Sequence, residues 1–287
     1  MNGKIVKANQ YHTHISSKSR RFSLNFKEVW NYRDLIWLFT KKNFKLIYKQ
    51  TVLGPAWIVL NPIISSLIYM VVFGKIAGMG TDGVPQILFY LSGSAIWTLF
   101  STCLTNNAST FTQNANVFGK VYFPRLTMPV STVISSIIQF GVQMILVLIL
   151  LAYFTITGQV HPNWTAWLLL PFVIIQLGAL GLGFGIIISS LTTKYRDLAL
   201  LVTFGVQLWM YATPVVYPLS ILGNSALKVA IMINPVTMPV EVFRYAVLGV
   251  GTLNPLFIGI SLAVTIAVLI LGISVFNRVE KTFMDTV

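Results

Sequence analysis

Six runs of apolar residues, each about 20 long, divide the chain: Pro55 to Phe73, Ile87 to Thr105, Met128 to Phe154, Ala166 to Leu191, Leu198 to Tyr217 and Leu256 to Phe276. A helix of that length crosses about 30 Å of hydrocarbon, with tilt where the run is longer. The pattern changes ahead of the first run. At about 100° per residue, residues 34–50 place Lys41, Lys42, Lys45 and Lys49 in one arc and most of Leu35, Ile36, Phe39, Phe44, Leu46 and Ile47 elsewhere. This predicts an amphipathic helix along the inner leaflet, its lysines among anionic headgroups. A soluble helix packed on another protein would show the same pattern.

A third pattern occupies residues 219–251, where two apolar stretches, Ser225 to Ile233 and Met238 to Leu248, are split by Asn234 and Pro235. Neither is long enough to span. A pair of short helices that enters the membrane and returns to the same side fits their length, provided protein or water covers the irregular backbone. The alternative is a plain external loop.

These patterns predict an all-α membrane protein with six transmembrane helices, an N-terminal amphipathic interface helix and a re-entrant external helix pair between spans five and six. The domain reading is a basic tail over 1–33, the interface helix over 34–50 and one membrane domain over 51–287. Composition agrees: 55% of residues are hydrophobic and 9% charged, whereas soluble domains carry about a quarter charged residues. The chain is basic, with 20 Lys+Arg against 7 Asp+Glu. That excess could suggest nucleic acid, but 11 of the basic residues precede Gln50, and only Lys75, Lys228 and Arg244 fall in external segments when the N-terminus is placed inside. A positive cytoplasmic face accounts for them, with both termini inside. Residues 1–33 lack the long apolar core of a cleavable signal peptide. Cys103 is the single cysteine, so no disulfide forms within the chain.

Much chemistry is missing. There is no GxxxxGK[ST] phosphate loop, so the chain is not expected to hydrolyse ATP itself. His12, His14 and His161 are scattered and make no metal-binding cluster. Among the acidic residues only Glu241 lies in a membrane-entering segment, which disfavours ion-coupled transport, and no convergent set of carboxylates suggests an enzyme. The spans do carry polar stripes: Thr132, Ser136, Gln139 and Gln143 share one helix face, as do Thr203, Gln207 and Tyr211. Such faces either line a hydrated passage or bond helix to helix. Gly178, Gly181, Gly183 and Gly185 suggest close helix packing or a kink.

The run YKQTVLGPAWIVLNP (Tyr48 to Pro62), then NVFGKVYFPR (Asn116 to Arg125) and NPVTMPVEVFRYAVLG (Asn234 to Gly249), resembles the permease subunit of bacterial type-2 ABC exporters for polysaccharides of the O-antigen, capsule and teichoic acid class. The resemblance covers the chain from about residue 30. It implies a homodimer in the bacterial plasma (inner) membrane, two separate ATP-binding subunits that hold ATP and Mg, and a channel for a lipid-linked polysaccharide. It assigns Asn114, Asn116, Phe118, Lys120, Tyr122, Phe123 and Arg125 to the loop that couples to the ATPase, and Lys41 to Lys49 to the interface helix. Candidates for the channel lining are Tyr69, Phe73, Tyr90, Trp97, Trp209 and Tyr211, with Gln139, Gln143 and Gln207 from the polar stripes. The external gate would include Ile231, Met232, Pro235, Glu241 and Arg244, with Glu241 and Arg244 three apart on one helix and able to pair. A type-2 permease for a drug or small lipid, or a non-transporting scaffold, are the competing readings.

Overall fold

The computed structural model describes residues 26–49, 53–118, 123–192 and 198–286, and every regular element among them is helical. Two short-range helices open it, α1 (Phe26–Asn31) and α2 (Arg33–Tyr48). The first span combines a 3₁₀ turn at Gly54–Ala56, α3 (Trp57–Tyr69) and a π-helical stretch at Met70–Ile76. Then come α4 (Gln86–Ala108), α5 (Thr110–Phe118) and α6 (Thr127–Ile156). A 3₁₀ segment at Trp164–Leu169 leads into α7 (Leu170–Thr192), followed by α8 (Leu198–Tyr211). The chain closes with α9 (Ala226–Ile233), α10 (Thr237–Leu248) and α11 (Pro255–Thr286).

Five of these lengths are apolar and long enough to cross a membrane. The bundle is built around α4 and α7, and glycine sets their distance. A Cβ on Gly181 would lie 2.6 Å from Cβ of Cys103, and one on Gly185 would lie 2.5 Å from Cβ of Asn107. On the opposite side of α7, Gly183 faces Leu269 of α11, and Gly272 of α11 faces the Gly183 carbonyl. Small residues on two faces let α7 touch α4 and α11 backbone to backbone, the packing that stabilises helices where the solvent is itself apolar. Large apolar side chains such as Ile145, Ile149, Phe172, Leu262 and Ile266 point outward.

At one end, here the basic end, α2, α5, the start of α6 and the end of α11 converge on Phe39, Phe111, Phe118, Phe123 and Phe276. At the far end α10 is roofed by the segment before α7: Asn163 N and Trp167 Nε1 both donate to the Ala246 carbonyl, at 3.1 and 2.9 Å. Gly249 ends α10 in the left-handed region, φ 75°, pressed against the His161 carbonyl.

The helix pair expected between spans five and six is present. Asn234 and Pro235 separate α9 from α10, which meet at 92°. The fifth span departs from expectation. Its run of apolar residues continues to Tyr217, but α8 ends at Tyr211 and covers about 21 Å, less than the hydrocarbon thickness. Pro214 is the reason: it has no N–H for the Met210 carbonyl, and its ring clashes with a helical turn beneath it. Residues 212–217 continue instead as irregular backbone.

Candidate functional site

Irregular backbone beside a membrane span needs partners for every polar group. Here one side chain supplies several. Arg244, 1% exposed on α10, donates from Nη1 to the carbonyl of Pro214 and from Nη2 to the carbonyl of Val215 at 2.6 Å. The Tyr217 carbonyl lies 3.4 Å from Nη1. Its charge is countered by Glu241, 3.4 Å away and 2% exposed, whose other oxygen accepts from the Thr252 N–H at 2.8 Å. The guanidinium also sits 3.9 Å above the Phe89 ring. Gly93 of α4 makes the room: a Cβ there would lie 2.7 Å from the Val215 carbonyl and 3.2 Å from Arg244 Nη2.

Asn234 is the second staple, although its place in the sequence pattern marks only a break between helices. Its amide nitrogen donates to Ala212 O at 3.0 Å and meets Thr213 Oγ1 at 2.9 Å, while its oxygen accepts from Trp209 Nε1 and from Val236 N. The helix pair and the broken span are therefore one hydrogen-bonded unit. Pro235 adds a tie to α11, its carbonyl accepting from Ser261 Oγ at 2.5 Å. Met232 is buried and Ile231 half-buried among Leu219, Met238, Phe257 and Ile258. As placed, both fill an apolar cluster within the chain rather than standing on an open wall.

The candidate lining residues separate into three places. Tyr69, Phe73, Tyr90 and Tyr211 adjoin one another, with ring centroids 6.2 to 6.5 Å apart in successive pairs, and the Tyr69 hydroxyl points at Met210 Sδ. Tyr211 and Gln207 are exposed on α8 together with Phe204 and Leu208. Tyr90, at the inner end of that row, is fully covered, Trp97 packs on Phe100 in the core, and the partly buried Trp209 lies between Phe100 and Phe184. Their aromatic bulk fills the space around α4 and is not available to a passage here. Gln139 and Gln143 belong to a recess of about 200 Å³ between α3, α4 and α6. The lower part of their stripe bonds its own helix, Thr132 to the Met128 carbonyl and Ser136 to that of Thr132.

At the basic end α5 is locked to the bundle. Phe111 stacks on Phe276 at 4.6 Å, its N–H donates to Ser189 Oγ, and Thr192 Oγ1 donates to the Ala108 carbonyl. Phe118 is 4% exposed and packs between Phe111 and Phe123, with Arg125 over its ring. Phe118 and Phe123 thus face inward, Phe118 because a helix this close to the spans buries its apolar stripe in them. Thr112 and Gln113 form the exposed face, and Asn114 is half-buried, bonded to the Thr110 carbonyl. Lys120 and Tyr122 lie outside the described residues, as does the Asn116 side chain. On α2, Lys41, Lys42, Lys45 and Lys49 are exposed, while Ile36, Phe39 and Thr40 turn inward and Thr40 Oγ1 reaches the Ser131 carbonyl. No cluster of three metal-ligating side chains occurs among the described residues.

A glycine-packed helical bundle whose shortened fifth helix is stapled to a sharply bent helix pair defines a multi-pass membrane protein. The ABC-2 type transporter family model matches residues 34–248, and the chain belongs to that family. Among known proteins it is similar to the O-antigen export system permease protein RfbA of Klebsiella pneumoniae, 28% identical over 252 residues, covering 88% of this chain and 94% of that one. The protein of the same name from Myxococcus xanthus is 29% identical over 212 residues, covering 73% and 78%.

Proposed function

We propose that the chain is the membrane subunit of an ATP-driven exporter of a lipid-linked polysaccharide of the O-antigen type. In this reading it works as a homodimer in the bacterial plasma membrane, with its basic end and both termini in the cytoplasm. Two separate subunits bind ATP with Mg and press on the basic end. The observation that carries the reading is the similarity to O-antigen export permeases over most of the chain. The geometry fits it. α5 ties a surface helix to α7 and α11 through Phe111, Ser189 and Phe276, so force applied at the basic end reaches two spans at once. The exposed faces of α8 and the first span carry Gln207, Tyr211 and Phe73, a mixed amide and aromatic surface suited to sugars if a second copy encloses it.

The test is reconstitution. Vesicles holding this chain with an ATPase encoded beside it should move a lipid-linked glycan to the opposite leaflet on ATP addition, measured by accessibility to a glycosidase. No ATP-dependent movement of glycan, with movement of a short-chain fluorescent lipid instead, would replace this reading with one of a lipid transporter.

A further inference from the structure

The recess between α3, α4 and α6 follows from one proline. Pro62, inside α3, has no N–H for the carbonyl of Ile58 four residues earlier. That carbonyl is taken from across the bundle, by Gln143 Nε2 of α6 at 3.3 Å. The bond fixes the Gln143 amide and leaves its oxygen, on a side chain 5% exposed, with no partner among the described residues. The two threonines of α4 beside it do not repair this. Thr98 Oγ1 donates to the Ser94 carbonyl at 2.7 Å and Thr102 Oγ1 to that of Thr98 at 2.6 Å, so both hydroxyl protons are spent on α4 and their lone pairs remain. Asn61, Ser65 and Gln139 complete the polar lining, no ionisable residue contributes, and the flat ring of Trp57 stands at the edge.

From this arrangement we infer a binding site for one uncharged sugar ring, deeper than the aromatic face of α8 and separate from it. The inference rests on the proposed export of a glycan only for the source of that ring. The chemistry is specific in three respects. Lone pairs on Gln143 Oε1, Thr98 and Thr102 stand beside the amides of Asn61 and Gln139 and the Ser65 hydroxyl, so the ligand must both donate and accept hydrogen bonds, as hydroxyls do. Gln143 lies 16 residues beyond Thr127, about 24 Å along α6 and near its middle, where a charge without a partner is costly. A recess of about 200 Å³ has room for several waters at about 30 Å³ each, or for a single ring in their place. Trp57 adds an aromatic side chain to the lining, against which the apolar side of such a ring can pack.

The probe is a photoreactive alkyl β-D-glucoside, applied to the purified full-length protein in lipid nanodiscs, with a phosphocholine of equal chain length as control and methyl β-D-glucoside as the tail-less competitor. Labelling should fall on residues 57–65 and 98–102, and unlabelled alkyl glucoside should compete while the phosphocholine does not. Competition by the methyl glucoside as well would assign recognition to the ring alone; its failure would assign the site to a ring carried on a lipid. Loss of the unpartnered acceptor in Gln143→Leu should weaken labelling about threefold to tenfold, the range for one hydrogen bond. Asn61→Leu, at an exposed position with no packing to lose, should do the same and guards against misfolding. Equal labelling by the phosphocholine, or labelling unmoved in both variants, overturns the site. Glycan export measured in the same nanodisc preparations transferred to vesicles separates the outcomes: export that persists with non-specific labelling removes the site alone, whereas specific labelling without export removes the transport reading alone.

Discussion

Arg244 shows how much a single buried side chain can hold. It serves the carbonyls of Pro214 and Val215, approaches that of Tyr217, and has Glu241 as counter-charge and Phe89 as floor. Removing one partner of such a pair strands the other, at a cost of about 3–5 kcal/mol. Arg244→Met should therefore lower the melting temperature of the purified protein sharply. Glu241→Gln also leaves a charge without its counter-ion, but should cost less, since Arg244 still donates to the Pro214 and Val215 carbonyls and an amide oxygen still accepts from the Thr252 N–H. Equal melting temperatures for the two variants would show that the carbonyls are served by something else. The Glu241–Arg244 pairing could be read from spacing in the sequence. What the pair is for could not, because the carbonyls it serves are 27 to 30 residues away and bear no side-chain signature.

Among the elements, α7 and α5 bear the sharpest expectations. Gly181→Val places a branched side chain where even one carbon would lie 2.6 Å from Cys103 Cβ and 3.0 Å from the Phe100 carbonyl. It should abolish recovery of folded protein, since backbone must move to admit it. Gly259→Ala in α11 meets nothing within 4 Å and should be neutral or gain up to about 1 kcal/mol from helix propensity. Gel-filtration yield and thermal melting distinguish them. For α5, Phe118→Asp buries a charge in an aromatic cluster and should unfold the basic end, whereas Gln113→Lys on the exposed face should leave folding intact and reduce ATP-driven export if α5 docks on the ATPase. Spans and helix pair were legible because long apolar runs and the Asn234-Pro235 interruption are strong local signals. The early end of α8 was legible only in Pro214, set in a run of apolar residues that reads as uninterrupted helix. The recess left no signal, because it requires Pro62 to free a carbonyl that another helix then reaches.

Across the whole molecule, the distribution of charge sets orientation. Basic residues gather with α2, Arg125 and Arg278 at one end, and Asp82 and His161 lie toward the other. In a Cys103→Ala background, cysteines at positions 82 and 161 should react with an impermeant maleimide added outside intact cells, and one at position 120 only after permeabilisation. Labelling of position 120 from outside would invert the topology and with it the side from which an ATPase could act.

The staple between α10 and the broken span also bears on how the chain is made. A ribosome delivers residues in order, so the carbonyls of Pro214 and Val215 reach the membrane before Arg244 has emerged to meet them. For that interval the end of the fifth span has exposed polar groups and no helix to absorb them, a state that hydrocarbon does not tolerate. The segment has to wait, at the insertion machinery or in the headgroup layer, until some thirty further residues arrive to complete it. Chains truncated just before residue 244 should accumulate there, and chains extended past Thr252 should be released.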